Sequence, residues 1–317
     1  MRGRLLFATL LALSLFARPV RSDACGGFFQ HGQGAGPIFQ TAGKVVLAWA
    51  PSGVTMLVEL DYEGEPGNFA WILPLPEPPR DELGLPIPLD EILYISTRAL
   101  FDRLEPRSAP DFRVASTFEG EPCQSSPPAS APDAGGSPDS SDSEAPEPVE
   151  VLQEAEIGLL GVHLLRADDV EDLYVWLEEN GYTKDEGARP ILEKHVQEGH
   201  IFLAFKLLSA VPRGDLRPIE IRLGDAPLGF PLQLSALAAR PDMPIRVWVL
   251  GDYRAAPKNF LNVKVSPKAL VWPDGSNYEE VVAEAVNAAG GRAFVTEMAT
   301  NEPLVDAVFD NLGQKTN

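Results

Sequence analysis

The stretch from Val54 to Tyr62 constrains the fold most. Val54, Met56, Val58, Leu60 and Tyr62 alternate with Thr55, Glu59 and Asp61, and a period of two puts one such set on one side of a β-strand. The pattern predicts a half-buried strand. Turn signals bound it, with Pro51-Ser52-Gly53 before and residues 64–68 after. Residues 44–50 read as the preceding strand. Phe69-Ala70-Trp71-Ile72-Leu73 reads as the next one, a hairpin partner. Pro74-Leu75-Pro76-Glu77-Pro78-Pro79 is poor in ladder donors, so the chain is expected to leave the sheet there as polyproline II.

Further strands are expected at 112–118, within 149–165 (interrupted by Gly158 and Gly161), and at 201–207, 218–223, 232–238, 245–250 and 292–297. A short helix fits within 89–104. A clearer one starts after Asp168 as N-cap, with Val170, Leu173, Tyr174 and Leu177 on one face and Gly181 as its stop. Its partner runs from about Pro190 to Gly199. The last two helices are 278–288, capped by Asn277, and 303–312. The fold class is therefore α+β: β-rich mixed or antiparallel sheets, a helical hairpin and two C-terminal helices. A faint echo pairs Val46-Leu47-Ala48-Trp49 with Phe202-Leu203-Ala204-Phe205, and residues 59–69 with 220–230. A duplicated strand–hairpin unit would leave such a trace, and so would two unrelated hairpins of similar composition.

The first 24 residues read as a secretory signal peptide. Arg2 and Arg4 precede an apolar run at 5–17, and Ser22-Asp23-Ala24 places small residues where a signal peptidase cuts. Residues 25–124 form a β-rich part, 125–148 an acidic Pro/Ser-rich insertion expected to be disordered, and 149–317 an α+β part that completes one domain with 25–124. The destination is the periplasm or the exterior. No later segment has the apolar length of a transmembrane span. A net charge of −20, with no basic patch among aromatics, disfavours nucleic acid.

The two cysteines are Cys25 and Cys123. In an oxidising compartment a disulfide between them is the expected state, and the chain-entropy model gives up to ~4.7 kcal/mol for a loop of this size. A lipid anchor at Cys25 is the alternative, although Arg21-Ser22-Asp23-Ala24 lacks the apolar residue a lipoprotein signal wants three back. An N-terminal thiol nucleophile would need a base that is not visible.

No catalytic constellation stands out. His195-Val196-Gln197-Glu198-Gly199-His200 misses both zincin spacings, and on a continuous helix two residues five apart point roughly 140° away from each other. No metal and no cofactor is expected. Gly32-Gln33-Gly34-Ala35-Gly36 lacks the strand, helix and lysine of a phosphate loop. Residues 139–144 could gather calcium only loosely. Arg254, Lys258 and Asn259 form the one compact basic-polar loop after a strand, a candidate anion contact weighed against an ordinary salt-bridged surface loop.

Several of these stretches together resemble a bacterial family of exported proteins, domain of unknown function 2330. They are Ala24-Cys25-Gly26-Gly27-Phe28-Phe29, Phe69-Ala70-Trp71-Ile72-Leu73-Pro74-Leu75-Pro76, Trp176-Leu177 with Asn180-Gly181-Tyr182, and Val196 through Gly199 leading into Phe202-Leu203-Ala204-Phe205-Lys206-Leu207. Pro241-Asp242-Met243-Pro244, Arg254-Ala255-Ala256-Pro257-Lys258-Asn259-Phe260 and Gly290-Gly291-Arg292-Ala293-Phe294-Val295-Thr296-Glu297 complete the set. The resemblance implies export and a shared fold, and carries no activity. The expectation is a non-enzymatic binding or structural component of the envelope, partnered by an envelope protein or peptide. The alternative is an exported hydrolase or transferase whose site is dispersed in sequence.

Overall fold

The computed structural model describes residues 27–30, 32, 39–51, 53–63, 69–81, 83–113, 150–208 and 216–301. The leader, both cysteines, the acidic insertion and the helix expected at 303–312 lie outside these residues.

Two five-stranded sheets stack face to face. In chain order the elements are β1 (Gly27–Gln30), β2 (Phe39–Ala50), β3 (Gly53–Glu63), β4 (Phe69–Leu75), α1 (Leu89–Ile92), β5 (Leu93–Ile95), α2 (Ala99–Ser108), β6 (Glu150–Ile157), β7 (Leu160–Arg166), α3 (Val170–Glu179) and α4 (Arg189–Gln197). They continue with β8 (Ile201–Leu207), β9 (Ile219–Gly224), β10 (Ile245–Leu250), β11 (Leu261–Val263), α5 (Tyr278–Ala288) and β12 (Ala293–Val295). The first sheet has the order β1-β4-β8-β7-β6 and is antiparallel throughout. The second has the order β10-β2-β3-β9-β5 and is mixed, because β10 runs parallel to β2. Parallel strands β11 and β12 form a small third sheet, with α5 between them in sequence. No helix among the described residues is long and apolar enough to cross a membrane.

Alternation along the strands builds the layers. Val45, Leu47, Met56 and Val58 from the second sheet meet Trp71, Leu73, Val162, Leu203 and Phe205 from the first. Each such side chain taken fully out of water contributes roughly 1.5–3 kcal/mol. The outer face of the first sheet, with Ala70, Ile72, Phe202 and Ala204, packs on Leu173, Tyr174, Trp176 and Leu177 of α3 and Leu192 of α4. The outer face of the second, with Val46, Ala48, Leu57, Trp248 and Leu250, packs on Leu100, Phe101 and Leu104 of α2. The result is a helix–sheet–sheet–helix stack.

The α+β class and the α3–α4 hairpin agree with the sequence reading, and most strands fall where alternation placed them. Other details differ for physical reasons. The strand at 54–62 is buried on both faces, because α2 covers the side that alternation assigned to water. Phe69–Leu75 is no hairpin partner of β3; it crosses to the other sheet and pairs with β1 and β8. Pro74 stays in that strand opposite Phe202, beyond Ile72, the last residue of β4 that pairs with β1, so among the described residues one side of β4 is an edge there. The helix expected within 89–104 is split, since Leu93, Tyr94 and Ile95 pair with β9 instead. Residues 232–238 hold a 3₁₀ turn, Leu234–Leu237, rather than a strand. Phe112 and Arg113 belong to no strand, and the rest of 112–118 lies outside the described residues. The cap of α3 is Asp169, one residue later than expected, in a capping box with Asp172. Asn277 does not cap α5 with its side chain, which bonds Val271 N and Ala269 O instead. The internal echo is no structural repeat: β2 and β3 pair with each other, whereas β8 and β9 sit in different sheets.

Candidate functional site

Beyond β10 the chain makes an exposed loop, enters β11, crosses through α5 and returns as β12. Leu261 N donates to Arg292 O at 2.9 Å and starts the parallel pairing of Leu261 with Ala293, Asn262 with Phe294 and Val263 with Val295. This pairing sets Asn262 beside Thr296, and the Asn262 amide donates to Thr296 Oγ1 at 2.9 Å. The Arg254 guanidinium reaches the same hydroxyl oxygen at 3.5 Å. These residues open into a cleft of about 380 Å³, lined also by Val263, Lys264, Val265, Val295 and Ala299. The volume suits a small ligand or a side chain of a partner. The polar lining consists of a guanidinium, an ammonium, an amide and a hydroxyl; it includes no carboxylate and no imidazole. Among the described residues neither Arg254 nor Lys264 is in a salt bridge with a carboxylate. Such a set can hold an anion, but it has no group suited to proton transfer near neutral pH.

Of the three loop residues singled out in the sequence, the structure puts only Arg254 on this cleft. Lys258 and Asn259 are exposed and outside its lining. Asn262, Lys264 and Thr296 were missed. The parallel pairing of β11 with β12 brings Thr296 to the other two across the α5 crossover, and their spacing carries no sign of it.

The buried carboxylates elsewhere are compensated. Glu59, 4% exposed, meets Arg98 at 2.5 Å and Lys44 at 3.2 Å. Lys44 also pairs with Glu105 at 2.9 Å, and Arg246 links Glu105 to Glu279. Burial pushes the Lys44 ammonium down, yet Glu105 and Glu59 together hold it above the usual lysine value. Glu220 pairs with Arg222, whose guanidinium stacks 4.2 Å from the Tyr94 ring centre. This network ties β2, β3, α2, β10 and α5 together. Each of its acids faces a base, which is the arrangement of a structural clamp.

The histidine pair is built differently from its sequence expectation. The 140° separation applies to residues on one helix, and α4 stops at Gln197, before His200. Gly199 takes φ +76°, Gly199 N donates to Val196 O at 2.9 Å, and His200 N donates to His195 O at 3.0 Å. These two bonds form a Schellman turn with Gly199 at C′, the place the sequence assigned it. The turn folds His200 back until the two rings are 4.8 Å apart and nearly perpendicular. His200 Nδ1 lies 3.2 Å from His195 O and 3.7 Å from the Glu198 carboxylate. His195 is 8% exposed, and among the described residues neither of its ring nitrogens has a hydrogen-bond partner. Leaving such a group unsatisfied costs about 1–3 kcal/mol. Burial, and then the charge of His200, push the His195 imidazole down to about 4. His163 on β7 is also buried, edge-on to Trp176 and 3.2 Å from Glu154, and burial followed by Lys206 lowers its imidazole.

No curated protein and no solved structure is significantly similar to this chain. A family model described as an uncharacterized protein conserved in bacteria, DUF2330, matches residues 19–308. With nearly its whole length matched, from before Cys25 to beyond β12, the chain belongs to the DUF2330 family of bacterial proteins.

Proposed function

We propose that this protein is an exported, non-enzymatic binding component of the bacterial cell envelope, periplasmic or secreted, and that it holds an anionic group of a partner in the cleft at Arg254. The leader at residues 1–24 supports export, with Arg2 and Arg4 before an apolar run and Ser22-Asp23-Ala24 before Cys25. The observation that carries the binding role is the composition of the cleft. Arg254, Asn262, Lys264 and Thr296 present donors around about 380 Å³ of open space, floored by valines. Arg254 and Lys264 line one cleft without a carboxylate among its lining residues, and their field favours an acidic ligand over neutral ones. An exposed carboxylate or phosphate on an envelope peptide fits this chemistry.

The test uses the mature chain from Cys25 onward. Citrate, inorganic phosphate and an Asp/Glu-rich peptide are titrated by calorimetry at low and moderate salt. The expected result is binding of at least one of them, weakening with salt and lost in the Arg254→Ala, Lys264→Ala double variant. Unchanged binding by the double variant overturns the site. Turnover on ester, peptide or glycoside panels overturns the non-enzymatic reading. Cell fractionation with intact mass, reduced and unreduced, tests export, the Cys25–Cys123 disulfide and lipidation of Cys25 together.

A further inference from the structure

We propose that His195, Glu198 and His200 bind one divalent transition-metal ion of the zinc class at the C-terminal end of α4. The site shares no residue with the Arg254 cleft and does not depend on it. Each of the three residues offers one ligand atom, and these atoms all lie within 4.8 Å of one another. A tetrahedral zinc ion with bonds of about 2.1 Å holds its ligand atoms roughly 3.4 Å apart. Glu198 is exposed and His200 half-buried, so small side-chain rotations close the set. Two imidazoles and one carboxylate are the donors zinc takes in sites that keep a position open for water.

Two further features prepare the site. The Schellman turn fixes His200 against His195, so little order remains to be imposed on binding. His200 Nδ1 lies 3.2 Å from His195 O, so in the tautomer that carries its proton there the ring donates to that carbonyl and Nε2 holds the lone pair a metal takes. Metal-bound histidines commonly donate their second nitrogen to a backbone carbonyl in this way. The independent sign of a missing ligand is His195 itself. It is more than nine-tenths buried, beside Glu198 and His200, and among the described residues both its ring nitrogens lack a partner. A metal ion supplies one. The end of α4, where the last carbonyls gather partial negative charge, favours a cation in the same place.

The ion would pin the end of α4 to the start of β8, the strand between β4 and β7 in the first sheet. The experiment titrates chelator-stripped mature protein with ZnCl2 by calorimetry and with CoCl2 by visible absorption. The expected result is one equivalent of zinc, a Tm raised by zinc and returned by EDTA, and cobalt bands without a thiolate charge-transfer band. Glu198→Gln and His200→Asn, both outside the core, should fold normally and each weaken zinc binding by more than the roughly 10–100-fold that loss of an outer-shell partner brings. Failure of the wild type to bind zinc below millimolar concentration overturns the proposal. So does undiminished binding by the Glu198→Gln, His200→Asn double variant, or a thiolate band that points to Cys25 or Cys123.

Discussion

Two glycines that meet where β3 pairs with β9 allow backbone conformation and steric fit to be measured separately. Gly53 opens β3 at φ +108°, and Gly224 ends β9 at φ +58°. A Cβ placed on Gly224 meets nothing within 4 Å. Gly224→Ala therefore pays only for the left-handed conformation, about 1–2 kcal/mol. A Cβ on Gly53 would lie 2.5 Å from the Gly224 carbonyl oxygen and 2.7 Å from its Cα. Those atoms are backbone and cannot swing aside as a side chain does. Gly53→Ala adds a displacement of the end of β9, about 1–3 kcal/mol, to a conformational cost of about 1–3 kcal/mol. The expected totals differ by about 2 kcal/mol, with Gly53→Ala the worse. Urea unfolding at neutral pH measures both through the midpoint, provided the slope is unchanged. Equal losses in the two variants, or a loss below about 1 kcal/mol for Gly53→Ala, would refute the close approach of the two strands.

Three other outcomes are expected from the packing. Asp169→Ala removes the capping box of α3 and should cost about 1 kcal/mol in the same urea assay. Ser108→Ala leaves the buried Trp248 Nε1, now 2.9 Å from Ser108 Oγ, without an acceptor; a loss of about 1–3 kcal/mol and a shifted Trp fluorescence maximum are expected. In metal-free protein the fold holds His195 down to about 4, below its unfolded value of 6.5. The unfolded chain thus takes the proton first, so this contribution is intact above pH 6.5, falls through pH 6.5 to 4 and is flat below. At pH 5 the loss is about 2 kcal/mol, and His195→Leu should remove that part of the slope between about pH 7 and 5.

Local pattern located the strands because alternation is a local signal, and 54–62, 201–207 and 245–250 were legible for that reason. Which sheet a strand joins depends on partners far away in sequence. Nothing in Phe69–Leu75 says that it pairs with Ile201–Leu207 rather than with its neighbour β3. Residues 93–95 satisfy a helical reading until β9 offers them a ladder. The burial of Glu59 became intelligible only once Lys44, Arg98 and α2 were in place around it. The histidine geometry was missed although Gly199 was read correctly as the helix stop, because a left-handed residue both ends a helix and turns the next residues back toward it. At the cleft, the charge of Arg254 was visible, whereas its neighbours Asn262, Lys264 and Thr296 were joined to it by the β11–β12 pairing.

The strand order also dictates when the protein can become stable during its own synthesis. A nascent chain that has reached residue 113 contains β1 to β5, but β4 still lacks β8, β3 still lacks β9 and β2 still lacks β10. Val45, Met56, Trp71 and Leu73 then still lack Val162, Leu203, Phe205, Ile219 and Ile221, which complete the core around them. Neither sheet can be finished by the segment that begins it, so condensation waits for residues beyond 200 and is intrinsically slow. A fragment ending before residue 150 should be a soft, aggregation-prone species. The same delay keeps the early polypeptide pliable until the strands beyond residue 200 have been made.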